Sequence, residues 1–251
     1  MNKIVHSKYK HQQQNLDKFV QNFDSTGKQL GKGDRNVIKL FELNSKIINV
    51  KSFKVPNVFN QIAYRFFRLS KAQRSFEYAQ QLTELGIGTP QPIAYYEFPT
   101  ALLYNRSFYL SEHLEYDLTY RELTHDLNYP EHEVILRAFT RFTYNLHEKN
   151  ILFLDHSPGN TLIKKKENGY EFFLVDLNRM SFKSLDYETR IRNFERLTIH
   201  QSMVETMSDE YAKCIGKNKE DIFPLMWKFT QEFQEKFHRK KQLKKKLKFW
   251  K

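Results

Sequence analysis

The stretch "ILFLDHSPGNTLIKKKENGYEFFLVDLN", residues 151–178, decides the reading of this chain. An apolar run ends at Asp155, passes a turn-prone Ser157-Pro158-Gly159 and resumes after Asn160. Asn168-Gly169 between two strand-like runs predicts a β-hairpin, because a tight type I′ corner needs residues that tolerate positive φ. With those two residues as the turn, Leu162 faces Val175 and Thr161 faces Asp176. Asn160 and Asp176 then stand side by side at the open end of the ribbon, with Asp155 held just upstream. Hard divalent cations such as Mg2+ take oxygen ligands, a few from protein and the rest from phosphate and water. Phosphoryl transfer needs such a cation, and a carboxylate to receive the proton of the attacking hydroxyl. Asn160 and Asp176 fit the metal role; Asp155 fits the base. The same residue types also build plain turns. The hairpin placement of Asp176 is what argues for chemistry.

The rest of the composition sets the frame. The chain has 251 residues, 40% hydrophobic, with 22 Phe and 14 Tyr, enough for a sizeable core or for two lobes sharing a cleft. Its single cysteine, Cys214, excludes an internal disulfide and suits a reducing cytoplasm. The N-terminal residues lack the apolar core of a signal peptide, and no apolar run reaches the roughly 20 residues of a bilayer span. A net charge of +12 favours anionic partners without choosing among them. No repeat and no Pro- or Gly-rich linker interrupts the chain, so its parts are joined tightly.

Residues 1–22 are polar and Gln-rich and read as a loose start. "GKQL", "NVIKLFEL" and "KIINVKSF" read as strands. Ser70 and Gln73 form a capping-box signal for a helix carrying Ala72, Phe76, Ala79 and Leu82, stopped at Gly86. "TPQPIAYYEF" and "SFYLSEHL" add strands. "PEHEVILRAFTRFTYNLHEKN" predicts an amphipathic helix with Val134, Ala138, Phe142 and Leu146 on one face. From Tyr187 the pattern is helical. The fold class is α+β. The expected parts are a loose segment 1–22, an N-terminal β-rich part 23–114, a helical part 115–238 and a basic amphipathic tail 239–251, with a ligand cleft between the two main parts.

Residues 146–180 resemble the catalytic and metal-binding segments of the protein-kinase-like fold. Leu146-His147 end a helix, a strand leads to Asp155, Asn160 follows five residues on, and a hairpin leads to Asp176. The resemblance implies a small antiparallel N-lobe, a larger helical C-lobe and ATP bound between them. It further implies a strand lysine for the α- and β-phosphates, met by Lys51 in "IINVK", and a helix glutamate to anchor it, met by Glu77 in "RSFEYAQQLTELG". Lys54 and Glu84 are the second choices; Lys54 lies on the opposite strand face from Lys51. Gly31 and Gly33 in "LGKGDRN" occupy the phosphate-covering turn, short of a full G-x-G-x-x-G, with Arg35 as a supplementary charge. The backbone of Glu112 and Leu114 in "YLSEHL" is where an adenine edge is expected.

Within that fold the chain resembles the bacterial lipopolysaccharide-core kinases of the Kdo/WaaP type, over roughly residues 30–200. "NVKSFK", "KAQRSFEYAQQLTELGIGTPQPIAY", "FLDHSPGNTLI" and "LVDLNRM" carry the likeness. It implies an ATP- and Mg2+-dependent phosphotransferase acting on a Kdo or heptose hydroxyl of a lipid-linked inner core. Three departures stand out. Phe153-Leu154 replace the usual His-Arg, Ser157 replaces a basic residue, and Asp176-Leu177-Asn178 replace Asp-Phe-Gly. The missing Arg argues against control by an activation-loop phosphate. Arg179 is one candidate for the γ-phosphate charge. A protein kinase, or a non-catalytic kinase-like binding module, are the alternative readings.

The C-terminal "FTQEFQEKFHRKKQLKKKLKFWK" carries Phe229, Phe233 and Phe237, then Leu243, Leu247 and Trp250 amid lysines. The Phe stripe suits a helix packed on a core. Lys240–Lys251 suit an interfacial helix on anionic lipid, at the inner face of the inner membrane. No nucleic-acid motif is present in the sequence.

Overall fold

The computed structural model describes residues 1–31, 33 and 36–249, the side chains of 247–249 excepted. The chain forms two compact units, Met1–Glu115 with Asp176–Asn178, and Tyr116–Val175 with Arg179–Lys251.

The first unit is built on a six-stranded antiparallel sheet. Its chain order is β1 (Asn2–Val5), a 3-10 helix (Ser7–Gln12), α1 (Gln13–Gln21), β2 (Lys28–Leu30), β3 (Val37–Leu43), β4 (Lys46–Phe53), α2 (Val58–Phe66), α3 (Lys71–Glu84), β5 (Pro92–Phe98) and β6 (Arg106–Glu112). The spatial order is β1-β5-β6-β4-β3-β2. The three expected strands before residue 54 and the two after Gly86 are all present.

Residues 1–22 are not loose. β1 pairs with β5 from Asn2↔Glu97 to Val5↔Ala94. Leu16, Val20 and Phe23 are buried in the sheet's core beside Ile48, Val50 and Phe108. Asp17 accepts from Lys3 Nζ at 2.7 Å and from the Tyr96 hydroxyl at 2.9 Å. Three apolar residues at helical spacing, diluted by glutamines, anchor the segment. Two helices, α1 and α2, also join the single one expected in this half.

α3 starts where expected. Ser70 Oγ accepts from the Gln73 N–H at 3.0 Å, and Ala72, Phe76, Ala79 and Leu82 are buried. The box is only half formed, because the Gln73 side chain donates to Glu77 instead. Gly86, with φ +70°, ends the helix.

The second unit contains β7 (Leu118–Thr119), α4 (Tyr120–His125), α5 (His132–Glu148), β8 (Ile151–Phe153), β9 (Thr161–Lys166), β10 (Gly169–Leu174), β11 (Met180–Phe182), α6 (Tyr187–Arg192), α7 (Gln201–Ile215) and α8 (Lys219–Phe249). Its core joins Leu136 and Phe139 of α5 to Met203, Val204 and Tyr211 of α7 and to Ile222 and Phe229 of α8. The buried face of α5 is rotated from the expected one. Ile135, Leu136, Phe139, Thr143 and Leu146 are buried, whereas Val134 is exposed and Ala138 and Phe142 are half-buried. α8 passes residue 238 without a break, so no separate tail begins there. None of the described helices is long and apolar enough to cross a membrane.

Candidate active site

The hairpin forms in a register two positions from the one expected. Gly169 pairs with Lys166, Phe173 with Leu162 and Leu174 with Thr161. The tight turn is Glu167-Asn168. A type I′ corner at Asn168-Gly169 needs positive φ at both residues. Only Gly169 has it, at +131°, so the glycine becomes the first strand residue. A shift of two keeps every side chain on its face. One further rung follows, with Val175 N–H donating to the Asn160 carbonyl at 3.0 Å. Thr161 therefore faces Leu174 and not Asp176, which comes two residues later.

The expected site residues are held in two sets of contacts. In the first unit, Lys51 of β4 places Nζ 2.7 Å from Asp176 Oδ1. Asn178 Nδ2 donates to the same oxygen at 2.7 Å. Asp176 sits in the left-handed region, φ +59°, a conformation that Asp tolerates better than most residues. Lys54 is exposed, so Lys51 is the strand lysine that meets a carboxylate.

Glu77 does not anchor Lys51. Its carboxylate accepts from Gln73 one turn back in α3, at 2.7 Å, and among the described residues no ion pair links it to Lys51. Glu84, the second choice, is exposed at the end of α3. Gly31 and Gly33 have φ of +77° and +71°, as a sharp turn after β2 requires, and Gln29 Nε2 donates to the Gly31 carbonyl. Arg35 lies outside the described residues. Glu112 spends its carboxylate on the Tyr9 hydroxyl and on Lys46, and its backbone N–H on Gln91. Leu114 lies in the irregular stretch after β6.

In the second unit, Asn160 Nδ2 donates to the Asp155 backbone carbonyl at 2.8 Å. That bond fixes the amide and leaves Oδ1 as its metal-type donor. The loop is closed by Asn160 N–H to Ser157 carbonyl, at 2.9 Å. Asp155 Oδ1 is paired with Arg196 Nη1 at 2.7 Å, which sequence reasoning missed. No local pattern announces Arg196, which lies between α6 and α7. The Arg121 guanidinium lies against the same loop, where a Cβ on Gly159 would collide with it. Arg179 is exposed.

A buried polar chain supports the loop from behind. His147 Nδ1 lies 2.8 Å from the Tyr211 hydroxyl and Nε2 3.1 Å from Asn193 Oδ1, while Asn193 Nδ2 donates to the Phe153 carbonyl at 2.9 Å. An amide oxygen only accepts, so the neutral ring carries its proton on Nε2. Burial pushes His147 down to about 4. His156, enclosed between Phe139 and Phe153, is pushed by burial down to about 3.

The donor set suits a hard cation in kind, being carboxylate and amide oxygen with no thiol or imidazole. Among the described residues no group of three or more His, Cys, Asp or Glu side chains forms a metal cluster. Asp176 in the first unit and Asn160 in the second, the two residues expected to hold a cation, each carry an oxygen of that kind.

The model of the lipopolysaccharide kinase (Kdo/WaaP) family matches residues 54–220. A 3-deoxy-D-manno-octulosonic acid kinase from Pasteurella multocida (strain Pm70) is 25% identical over 174 residues, 67% of this chain and 69% of that one. A solved structure of WaaP in complex with acyl carrier protein aligns with a TM-score of 0.65 at 14% identity, covering 94% of this chain and 99% of that one, a likeness of fold.

Proposed function

This chain belongs to the lipopolysaccharide kinase (Kdo/WaaP) family and is a kinase; from that premise we propose that it moves the γ-phosphoryl group of ATP onto a Kdo hydroxyl of the lipopolysaccharide inner core. The observation that carries the reading is the 2.7 Å contact of Lys51 with Asp176, a strand lysine meeting the carboxylate that follows the hairpin. Kdo is favoured over heptose by the name of the Pasteurella relative.

In this reading Lys51 offsets charge on the α- and β-phosphates. Asp176 and the Oδ1 of Asn160 would hold Mg2+, which supplies charge neutralisation at the phosphates. Asp155 accepts the proton of the attacking sugar hydroxyl as the new O–P bond forms and the bond to the ADP leaving group breaks. Arg196 fixes one oxygen of that carboxylate and leaves the other for the proton. Arg121, set against Gly159, covers phosphate charge that Ser157 leaves uncompensated. Glu77 retains a role only if it exchanges Gln73 for Lys51 when nucleotide binds. The Gly31–Gly33 turn and the backbone at Glu112 and Leu114 are assigned to phosphate and adenine.

The basic end of α8, exposed over Lys240–Lys246, is assigned with the rest of Lys240–Lys251 to the anionic inner face of the inner membrane. Leu243 is exposed there, and the side chains of Leu247 and Trp250 lie outside those described.

Incubation with ATP, Mg2+ and a Kdo-bearing core acceptor tests the reading. Mass spectrometry is expected to find one added phosphoryl group on Kdo. Phosphate on heptose alone moves the acceptor assignment, and phosphate only on added protein substrates defeats it.

A further inference from the structure

α2 is inverted. A surface helix of a globular protein turns its apolar stripe to the core. Here the inward groups are polar or aromatic-polar: Gln61 donates to the Pro56 carbonyl, Arg65 to the Thr100 carbonyl, and Tyr64 packs on Tyr104. Val58, Phe59, Ile62 and Phe66 recur at helical spacing on the other side and face solvent. Phe59 is 85% exposed and Phe67, just past the helix, 82%. No residue of α2 is buried. A contiguous exposed apolar patch of this kind marks an interaction surface.

Charge limits the partner to an anionic one. From Ser52 to Phe76 the sequence has five basic residues, Lys54, Arg65, Arg68, Lys71 and Arg74, and no acidic one. Among the described residues none of these five makes an ion pair. Bulky apolar side chains near cations that lack a carboxylate partner, Lys54 and Arg68 the exposed ones among them, suit the boundary between anionic headgroups and acyl chains.

We propose that α2 and its flanks, Val55–Leu69, form a membrane-docking element that inserts Phe59, Phe66 and Phe67 into an anionic lipid surface. The proposal deepens the kinase reading, on which it rests for a lipid-borne acceptor, and it concerns a segment separate from the basic end of α8.

The test is co-sedimentation of the full chain with phosphatidylglycerol-containing vesicles and with neutral phosphatidylcholine vesicles. Three proteins are compared: the parent, a Phe59→Ser/Phe66→Ser/Phe67→Ser variant, and a Lys240→Gln/Lys241→Gln/Lys244→Gln variant. The parent is expected to prefer the anionic vesicles. The triple-Ser variant, with its melting temperature retained, is expected to bind them at least ~10-fold more weakly, while the α8 variant keeps a larger share. Transfer to a deacylated, water-soluble core is expected to be unchanged in the triple-Ser variant, and transfer to vesicle-embedded acceptor to fall. Parent-like vesicle binding by the triple-Ser variant overturns the proposal, as does a parent indifferent to anionic lipid. Vesicle binding that needs the three phenylalanines, in a protein that transfers phosphate to neither acceptor, upholds the docking element and defeats the kinase reading instead.

Discussion

Arg196 Nη1 lies 2.7 Å from Asp155 Oδ1 and donates to the Leu154 carbonyl at 3.0 Å, so one guanidinium grips both the side chain and the approach of the proposed base. The same guanidinium lies over the Phe233 ring at 5.1 Å, which ties its position to α8. Arg196 is a positioning residue in this arrangement. Arg196→Gln is expected to lower kcat about 10- to 100-fold through misplacement of the carboxylate. The KM for ATP and the nucleotide-induced rise in melting temperature are expected to change little. An equal loss in both parameters would mean that Arg196 touches nucleotide directly.

Asp155→Ala removes the proton acceptor itself. Transfer is expected to fall by roughly 10²- to 10⁴-fold, the usual contribution of general base catalysis. Folding and the melting shift with ATP are expected to persist, since among the described residues Arg196 is the one side-chain partner of this carboxylate. Lys51→Ala acts differently. Its loss leaves Asp176 with Asn178 as partner and removes a phosphate contact, so the melting shift with ATP should shrink along with the rate. Differential scanning fluorimetry with and without Mg2+ separates the two.

Why do Asp155, Asn160 and Lys51 stand out in the sequence as candidates while Arg196 does not? The first three sit on segments whose local grammar is strong: an apolar strand into a Ser-Pro-Gly turn, and a β-branched strand with Lys46 at its start and Lys51 near its end. Arg196 meets Asp155 from 41 positions away, a pairing set by the packing of the second unit. The hairpin was readable, but its corner was not. Asn-Gly favours the type I′ turn, yet the chain keeps Asn168 out of the left-handed region and moves the turn to Glu167-Asn168. The Glu77 anchor was inferred from order along the chain, and order does not fix a rotamer: Gln73, one turn away, takes the carboxylate first. α2 is not among the elements expected from the sequence, although Asn57 caps it and Val58, Ile62 and Phe66 recur at helical spacing.

The buried histidines give stability an acid dependence. Both are held below the ordinary value of 6.5, His147 at about 4 and His156 at about 3. A proton therefore binds the unfolded chain more readily than the folded one between those values and 6.5. The stabilising neutral state is fully present above about pH 6.5 and is lost as pH falls toward 4 and then 3. For His147, faced by Asn193, Arg190 and Glu148, the loss is about 3 kcal/mol across that window. Denaturation midpoints should thus decline steadily from pH 6.5 to 4.5. His156→Phe, which fills the space between Phe139 and Phe153 without a titrating group, is expected to flatten the slope. An unchanged slope would show that other groups set the acid sensitivity.

The rotation of α5 separates two substitutions at adjacent positions. Sequence periodicity put Val134 on the buried face, but its side chain is 55% exposed while Ile135 is fully buried. The helix turned because Ile135, Leu136 and Phe139 bury more apolar surface against α7 than Val134 and Ala138 can, and Phe142 still stacks on Phe172 at 5.2 Å from the edge of that face. Ile135→Ala leaves a cavity among packed side chains and is expected to cost about 2–5 kcal/mol. Val134→Ala removes methyl groups already in water and is expected to stay within about 0.5 kcal/mol of the parent. At about 2–4 °C per kcal/mol for a chain of this size, the first change is plainly measurable by calorimetry and the second barely so. Equal losses at both positions would restore the face that periodicity suggested and contradict the packing described for α5.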